Sequence, residues 1–211
     1  MTGDAFLQAV REALEGREPG ALADPGAKQD RPLRPASVLV PLYEQDGEAG
    51  VVLLRRSDHL GKHPGQIAFP GGGRETSEDE LACALRESHE EVGIVARDVE
   101  IIGRLDRYAT ITDYLVSPFV GRLLRWPIEL VADPGEVAAI LTVPVRQLIE
   151  PGALRVATIE RNGAPRTVNF FAVGEHVVWG ATARMLRQLL ELALGRPLEP
   201  RGEVPWDKVR W

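Results

Sequence analysis

The residues of this sequence best suited to chemistry are three glutamates, Glu87, Glu90 and Glu91. In an α-helix, their spacing of three and four residues places them on one face. Three carboxylates on one face repel one another, so a solvated helix gains nothing from the arrangement. A divalent cation among them would remove the repulsion, and oxygen-only ligands favour a hard ion such as Mg²⁺ or Mn²⁺. The alternative is an ordinary acidic surface face that binds no ligand.

A helix over residues 78–92 is predicted to carry these glutamates. Ser77 followed by Glu80 has the spacing of a capping box, and Gly93 is a suitable C-terminal stop. Three glycines at 71–73 precede the helix, and their backbone can approach a ligand closely because it carries no side chain. The face opposite the glutamates is formed by Leu81, Leu85, Ser88 and Val92.

Residues 72–94 resemble the Nudix box, G-x5-E-x7-R-E-U-x-E-E-x-G-U, where U is a bulky apolar residue. Every fixed position matches except the first U, which is Ser88 here. The resemblance implies a Nudix hydrolase, a metal-dependent enzyme that cleaves a nucleoside diphosphate linked to another group. It also implies an α+β fold, in which a mixed β-sheet lies between helices as an α/β/α sandwich.

The resemblance implies a role for each site residue. Glu87, Glu90 and Glu91 are expected to be the metal ligands, and Arg86 to orient them with Glu78 as its partner. Glu136 resembles the distal carboxylate that many Nudix enzymes use as a further ligand or general base; alternatively, it is a plain residue at the start of a strand. Gly72 and Gly73 are expected to bring backbone close to the substrate. His89 points away from the glutamate face, so we expect it to be structural or exposed.

Residues 52–72 resemble the signature of the coenzyme A pyrophosphatase branch, L-L-T-x-R-S-x3-R-x3-G-x-V-x-F-P-G-G. The resemblance to this branch continues at Leu105-Asp106, Thr110 and 179–183, and covers roughly residues 35–193. It implies hydrolysis of coenzyme A or acyl-CoA to 3′,5′-ADP and (acyl-)4′-phosphopantetheine.

Two positions depart from that signature: Leu54 replaces threonine and Gly61 replaces arginine. An arginine at 61 could serve the 3′-phosphate of coenzyme A, so its absence weakens the assignment of this substrate. The basic residues that could substitute are Arg55, Arg56, Lys62 and His63. The alternative for this basic cluster is a solvated loop beside an acidic helix.

Two other functions stay open. One is a Nudix hydrolase for another substrate: ADP-ribose, a nucleotide sugar, a dinucleoside polyphosphate or an oxidised nucleotide. The other is a non-catalytic Nudix module that binds a nucleotide and regulates a partner, and retention of all three glutamates argues against it.

The remaining elements follow from hydrophobic periodicity and turn residues. We predict an N-terminal helix and connector in 1–34, the Nudix domain in 35–195 and a tail in 196–211. The tail carries two tryptophans and is expected to lie against the body or against a partner subunit in a homodimer. Strands are predicted at 36–43, 51–55, 65–69, 99–105, 115–124, 137–143, 154–160, 167–172 and 177–179, and further helices at 4–15, 144–149 and 181–194. Pro118 predicts an edge or a bulge for its strand.

The composition restricts the class of protein. The chain has 211 residues, 44% of them hydrophobic, and a net charge of −6, which argues against general nucleic-acid binding. A small nucleotide substrate remains compatible, because bound cations reverse the local field. Cys83 is the only cysteine, and we interpret it as a small filler of the helix interface. No apolar run reaches about 18 residues, so no membrane span is expected and a cytoplasmic protein is the prediction.

Overall fold

The computed structural model describes residues 1–23, 32–161 and 164–202. These residues form four α-helices: α1 (Gly3–Leu14), α2 (Glu80–Val92), α3 (Val145–Ile149) and α4 (Gly180–Leu194). Within the same ranges lie twelve strands: β1 (Ala21–Ala23), β2 (Arg34–Gln45), β3 (Glu48–Arg56), β4 (Ile67–Ala68), β5 (Gly71–Gly73), β6 (Val99–Arg104), β7 (Arg107–Ala109), β8 (Tyr114–Leu123), β9 (Val137–Pro144), β10 (Leu154–Arg161), β11 (Ala164–Val173) and β12 (His176–Trp179). No helix of the described residues is long and apolar enough to cross a membrane.

Nine of the described strands form one mixed sheet in the order β1-β7-β8-β2-β3-β4, with β5 also paired to β2, β6 to β8 and β9 to β3. The pairs β2/β8 and β1/β7 are parallel, and the others are antiparallel. Strands β10, β11 and β12 form a second, antiparallel sheet.

Apolar side chains cover both faces of the large sheet. Successive strand residues point to opposite faces: Val40 and Leu53 belong to a cluster with α1 and α4, whereas Leu39 and Leu54 belong to a cluster with α2. The sheet therefore lies between helices, which confirms the predicted α+β sandwich.

Helix α1 confirms the helix predicted at 4–15. Thr2 caps it, and the helix buries Phe6, Leu7, Val10 and Leu14. The connector predicted between the N-terminal helix and residue 35 is only partly irregular, because β1 pairs in parallel with β7. Residues 24–31 of this connector lie outside the described residues.

A group of hydrogen bonds around Asp106 connects the N-terminal segment to the centre of the molecule. Asp106, between β6 and β7, accepts hydrogen bonds from Arg17, from the Gly20 amide (2.7 Å) and from Gln188 Nε2 of α4 (2.6 Å). The Asp106 amide donates in return to Gln188 Oε1 (3.1 Å). Burial alone would raise the pKa of Asp106, but these hydrogen bonds outweigh it and lower the pKa. Helix α4 and the chain entering β7 are thereby fixed to each other.

Strand β8 contradicts the first of the two alternatives predicted for Pro118, an edge, whereas the β6/β8 pair does contain a register shift, between Ile101 and Gly103. The strand is not at an edge, since β2 lies on one side of it and β6 and β7 on the other. Pro118 lies opposite Val38, where the neighbouring strand changes from β6 to β7. A residue without an amide hydrogen is tolerated at such a break. Strand β7 lies between the strands predicted at 99–105 and 115–124, where no strand was predicted.

Helix α2 begins two residues later than predicted, at Glu80. Its cap is Asp79, whose carboxylate accepts from the Ala82 amide (2.8 Å), so the predicted capping box at Ser77 is wrong. Gly93 ends the helix in the left-handed region (φ 76°), as predicted. The glycines before α2 form strand β5 on β2, where a glycine loop was predicted.

The strands predicted at 154–160 and 167–172 are confirmed as the antiparallel pair β10 and β11. Asn162 and Gly163, which separate the two strands in sequence, lie outside the described residues. Helix α4 ends at Gly195 (φ 62°), as predicted. Leu198 of the tail is buried in the core, and its amide donates to Glu191 of α4 (2.9 Å). Both tail tryptophans fall in 203–211, outside the described part of the chain.

Candidate active site

A cleft of about 460 Å³ opens beside β5 and α2 and extends to the start of α4. The lining comes from the end of β3 with the loop to β5, one side of α2, the loop between β7 and β8, the segment before β9, and the end of β12 with the first turns of α4. Strands β2 and β8 contribute Ala36, Val38 and Val116 to the cleft. Its lining residues include Arg56, Lys62, His63, Phe69, Gly71, Gly72, Gly73, Glu87, Glu91, Thr110, Ile111, Thr112, Tyr114, Glu136, Trp179, Gly180, Ala181, Thr182 and Met185.

Three carboxylates face this cleft from two segments. Glu87 and Glu91 come from α2, and Glu136 comes from the segment before β9, whose backbone carbonyl accepts from the Ser57 amide (2.7 Å). Glu91 is only 3% exposed. The Gly71 amide donates to Glu91 Oε2 (2.8 Å), and Arg56 Nη1 lies 3.6 Å from Oε1. The β5 backbone and β3 thus orient the Glu91 carboxylate.

The carboxylates of Glu87, Glu91 and Glu136 concentrate negative charge where α2 and the segment before β9 line the cleft. Burial raises the pKa of Glu91 to about 7, and the nearby Glu87 and Glu136 add to the rise, while the Gly71 amide and Arg56 only partly oppose it. Burial also raises the pKa of Glu87, with the charges of Glu90 and Glu136 contributing and Arg86 opposing. Two neighbouring acids with raised pKa values favour a bound cation, because a cation stabilises their charged forms.

The glycines of β5 allow the carboxylates to lie against the backbone. A Cβ at Gly72 would lie 2.4–2.5 Å from the carboxylate atoms of Glu87. A Cβ at Gly71 would lie 2.3 Å from the Ser37 carbonyl oxygen, and Gly71 has φ +155°. Cys83 contacts the Gly72 carbonyl through Sγ (3.6 Å), and burial raises the pKa of its thiol to about 11. A thiol that stays protonated in this way acts as a packing group.

Arg86 organises the carboxylates of α2 from outside the cleft. Its Nε and Nη2 donate to the two oxygens of Glu78 (3.0 and 2.7 Å), the pairing that the sequence predicts. Its Nη1 lies 2.8 Å from Glu90 and 3.0 Å from Glu87. The hydrogen bonds from Arg86 lower the pKa of Glu78 to about 2. Arg86 also donates from Nη2 to the Gly73 carbonyl (3.4 Å), which joins α2 to β5.

The structure brings together most of the predicted site residues, but it separates the three glutamates of α2. The buried face of α2 contains Glu91 together with Cys83, Ala84, Ser88 and Val92, and Leu81 and Leu85 are only half-buried. Glu90 has a 56% exposed side chain paired with Arg86, and it does not line the cleft. Glu87 and Glu91 therefore lie on the cleft side of the predicted glutamate face and Glu90 lies at its exposed edge, because the sheet covers the side of the helix that carries Glu91.

Among the predicted basic residues, three line the cleft and one does not. Arg56, Lys62 and His63 are lining residues. Arg55 is bound to Asp58 (2.7 Å) outside the lining, which corrects its predicted place in the nucleotide site. His89 is exposed, as predicted.

The sequence indicated some of the residues that line the cleft and missed others. The branch resemblance pointed to Thr110 and Trp179, and both line the cleft. Tyr114 and Met185 gave no functional signal in the sequence, because an apolar residue at a strand start or in an amphipathic helix usually indicates core. Tyr114 lies under the Arg34 guanidinium, 4.0 Å from its ring centre. Only the tertiary arrangement places these side chains at the cleft.

The carboxylate oxygens at the cleft are the type of ligand that a hard divalent cation prefers. All three carboxylates at the cleft offer oxygen ligands, which Mg²⁺ and Mn²⁺ prefer. Within the described ranges, however, no three His, Cys, Asp or Glu side chains are arranged to hold a metal ion as they stand. The ion pairs of Arg86 with Glu87 and Glu90 are one physical reason for this.

Comparisons with known proteins agree with this fold. The family model of the NUDIX domain matches residues 33–162. Proteins called "Uncharacterized Nudix hydrolase NudL" from Enterobacter sp. (strain 638) and Escherichia coli (strain K12) are each 38% identical over 157 residues, which is 74% of this chain and 81% of theirs.

Solved structures resemble the chain at the level of the fold. The Nudix hydrolase RenU from M. smegmatis has a TM-score of 0.51 at 18% identity, covering 80% of this chain and 90% of RenU. A Nudix hydrolase from Nitrosomonas europaea has a TM-score of 0.51 at 17% identity, covering 83% of this chain and 80% of its own.

Proposed function

Because the chain belongs to the Nudix family and is a Nudix hydrolase, we propose that its substrate is coenzyme A or acyl-CoA. The phosphoanhydride is cleaved by water, and the products are 3′,5′-ADP and (acyl-)4′-phosphopantetheine. One P–O bond of the anhydride breaks, a new P–O bond forms to the water oxygen, and the water proton passes to a carboxylate or to solvent.

One observation carries the proposal: the segment that resembles the coenzyme A branch forms a wall of the cleft. Arg56, Phe69, Gly71 and Gly72 belong to that signature, and all line the cleft together with Glu87 and Glu91. A diphosphate held at the carboxylates would therefore be bordered by the residues that distinguish the branch. The cleft volume of about 460 Å³ is within the range of small-molecule sites.

We assign the binding of the divalent cation to Glu87, Glu91 and Glu136. When bound, such a cation neutralises phosphate oxygens and lowers the pKa of the attacking water. The Gly71 amide and Arg56 hold Glu91 in place. Glu136, which comes from a different segment, is the candidate proton acceptor or further ligand.

Glu90 is the remaining predicted ligand, and its role depends on Arg86. In the structure Arg86 contacts both Glu87 and Glu90. To join a cation site, Glu90 has to exchange this arginine contact for the cation. Arg86 stays anchored by its two hydrogen bonds to Glu78 during such an exchange. Arg86 is therefore a positioning residue for α2.

The basic lining residues suit the diphosphate. Arg56, Lys62 and His63 border the same cleft as the carboxylates. Their donors can bind non-bridging phosphate oxygens, and such charge-assisted hydrogen bonds are stronger than neutral ones. The backbone of Gly72 and Gly73 leaves room for the substrate to approach these residues.

A substrate panel tests the proposal. The purified protein is incubated with Mg²⁺ or Mn²⁺ and coenzyme A, acetyl-CoA, ADP-ribose or a nucleoside triphosphate, and kcat/KM is measured for each. We expect coenzyme A or its acyl form to give the highest value. Turnover of ADP-ribose well above coenzyme A would refute the substrate assignment. Nucleotide binding without turnover of any compound would support a non-catalytic module instead.

A further inference from the structure

Charge is distributed unevenly over the lining of the cleft. The charged and histidine side chains come from three segments: Arg56, Lys62 and His63 between β3 and β5, Glu87 and Glu91 of α2, and Glu136 before β9. The remaining lining segments include the turn between β7 and β8, strand β8 and α4. Among the described residues, these segments contribute no Asp, Glu, Lys, Arg or His to the lining. The cleft therefore has a charged wall and an uncharged wall.

The uncharged wall is an apolar surface that continues into the core. Phe69, Val116 and Met185 belong to the core cluster beside α4, and Tyr114 and Ala181 pack against that cluster. All five side chains line the cleft. Because the core holds them in place, an apolar group bound here buries surface without the cost of ordering the wall first. This wall favours a neutral, partly apolar part of a ligand.

The turn between β7 and β8 completes the uncharged wall and is held in one shape. The Thr110 amide donates to the Tyr114 carbonyl (2.8 Å), and Thr110 Oγ1 accepts from the Tyr114 amide (3.1 Å). Arg34 donates from Nη2 to the Thr112 carbonyl (3.0 Å), and its guanidinium lies 4.0 Å from the centre of the Tyr114 ring. Arg34 does not line the cleft, so it supports the turn from outside. The turn thereby presents Ile111 to the cleft.

Ile111 is the apolar side chain of this turn that the core does not hold. It lines the cleft and is only half-buried. It belongs to none of the apolar core clusters formed by the described residues. An apolar side chain in this position gains burial when a ligand covers it. Substitution of Ile111 should therefore change the wall of the cleft without leaving a cavity in the core.

The two ends of the proposed substrate differ in charge as the two walls do. The adenosine end of coenzyme A carries a phosphomonoester, whereas the pantetheine arm is uncharged and consists of methyl, methylene and amide groups. A phosphomonoester buried against an uncharged wall would lack a charged partner, which is costly. The same group beside the basic lining residues can form charge-assisted hydrogen bonds. Charge complementarity therefore assigns the arm to the uncharged wall.

We propose that Ile111, Tyr114 and Met185 form an arm site, which binds the neutral (acyl-)pantetheine end of the substrate. The identity of this end rests on the proposed function. The adenosine phosphates then lie beside Arg56 and Lys62 of the charged wall. Ile111 is the specificity-determining residue of the arm site. In the reverse arrangement the adenine ring contacts Ile111 instead, and the two products of the reaction distinguish the two cases.

Binding of the two products tests the arm site without catalysis, because each product is one half of the substrate. The affinities of 4′-phosphopantetheine and 3′,5′-ADP are measured by calorimetry in Mg²⁺ for the wild type, Ile111→Asn and Ile111→Val. Asparagine is polar but adds no charge that would act on the phosphates at a distance. Valine stays apolar and β-branched, so it is the matched control.

Ile111→Asn should lose at least about fivefold in affinity for 4′-phosphopantetheine and change by less than about twofold for 3′,5′-ADP. Ile111→Val should stay within about threefold of the wild type for both products. Retained binding of 3′,5′-ADP also shows that the variants are folded. If Ile111→Asn weakens 3′,5′-ADP as much as 4′-phosphopantetheine, or weakens neither, the arm site is refuted. It is also refuted if the wild type does not bind 4′-phosphopantetheine.

Turnover of coenzyme A by the wild type separates this inference from the proposed function. Hydrolysis of coenzyme A, together with a loss of affinity in Ile111→Asn that falls on 3′,5′-ADP, would refute the arm site and leave the proposed function standing. No hydrolysis of coenzyme A, with the Ile111-dependent binding of 4′-phosphopantetheine intact, would refute the proposed function and support the arm site.

Discussion

We expect the substitution Glu91→Gln to stabilise the metal-free protein at pH 8 while removing its activity. Glu91 is 3% exposed, and burial raises its pKa from 4.5 to about 7. Ionisation of Glu91 is therefore easier in the unfolded chain than in the fold. Glutamine keeps nearly the same shape and cannot ionise, so it avoids this cost.

The sign of the pH dependence follows from proton binding. Between pH 4.5 and pH 7 the folded protein holds the Glu91 proton more tightly than the unfolded chain does. Stability of the wild type therefore falls as pH rises through this window, and it levels off above pH 7. Glu91→Gln lacks this loss, so the difference between the two proteins grows with pH.

The size of the effect follows from the same shift. A rise in the pKa of Glu91 from 4.5 to about 7, at about 1.4 kcal/mol for each pKa unit, gives roughly 3.5 kcal/mol. For a chain of 211 residues this corresponds to a rise in Tm of roughly 7–14 °C. The figure is an upper estimate for the substitution, because glutamine also loses the contact with the Arg56 guanidinium.

The assay is urea unfolding of both proteins in EDTA at pH 4.5 and pH 8. Glu90→Gln is the control, because the Glu90 carboxylate is mainly exposed and stays hydrated. We expect the advantage of Glu91→Gln to grow by roughly 3 kcal/mol between the two pH values, and Glu90→Gln to show no such growth. Adding Mg²⁺ at pH 8 should stabilise the wild type more than Glu91→Gln. An advantage that stays constant or shrinks with pH would refute the reasoning.

Two further substitutions test the positioning of the site. Gly72→Ala places a Cβ 2.4–2.5 Å from the Glu87 carboxylate and should lower kcat by at least about tenfold. Gly73→Ala, whose Cβ meets no protein atom within 4 Å, should lower kcat less, and equal losses would contradict the contact between Gly72 and Glu87. Asp106→Ala breaks the buried hydrogen bonds to Gln188 and should cost about 1–3 kcal/mol in thermal unfolding while raising KM more than it lowers kcat. A change in kcat alone would contradict this positioning role.

Helix α2 and the three glycines that precede it could be identified from the sequence, because both depend on local spacing. The stop at Gly93 and the ion pair of Arg86 with Glu78 could be predicted from residues close in the chain. The choice between Ser77 and Asp79 as cap could not, because both residue types satisfy the same local rule.

Other features depend on the sheet and were not predictable from spacing. Helical periodicity places Glu90 and Glu91 100° apart, but only packing against β5 decides that Glu91 is buried and Glu90 is exposed. The triple glycine becomes a strand because β2 offers it a partner. Likewise, the first turn of α4 meets the cleft through contacts between β12 and β4, which are distant in sequence.

The proposed cleavage of coenzyme A is a cation-dependent reaction at Glu87, Glu91 and Glu136. Its most direct test is the mass-spectrometric detection of products from coenzyme A at pH 8, with Mg²⁺ or with EDTA, for the wild type and Glu91→Gln. We expect 3′,5′-ADP and 4′-phosphopantetheine from the wild type only with the cation, and at least about a 100-fold slower reaction from the folded variant. Equal product formation in EDTA, or a near-normal rate for Glu91→Gln, would contradict the claim.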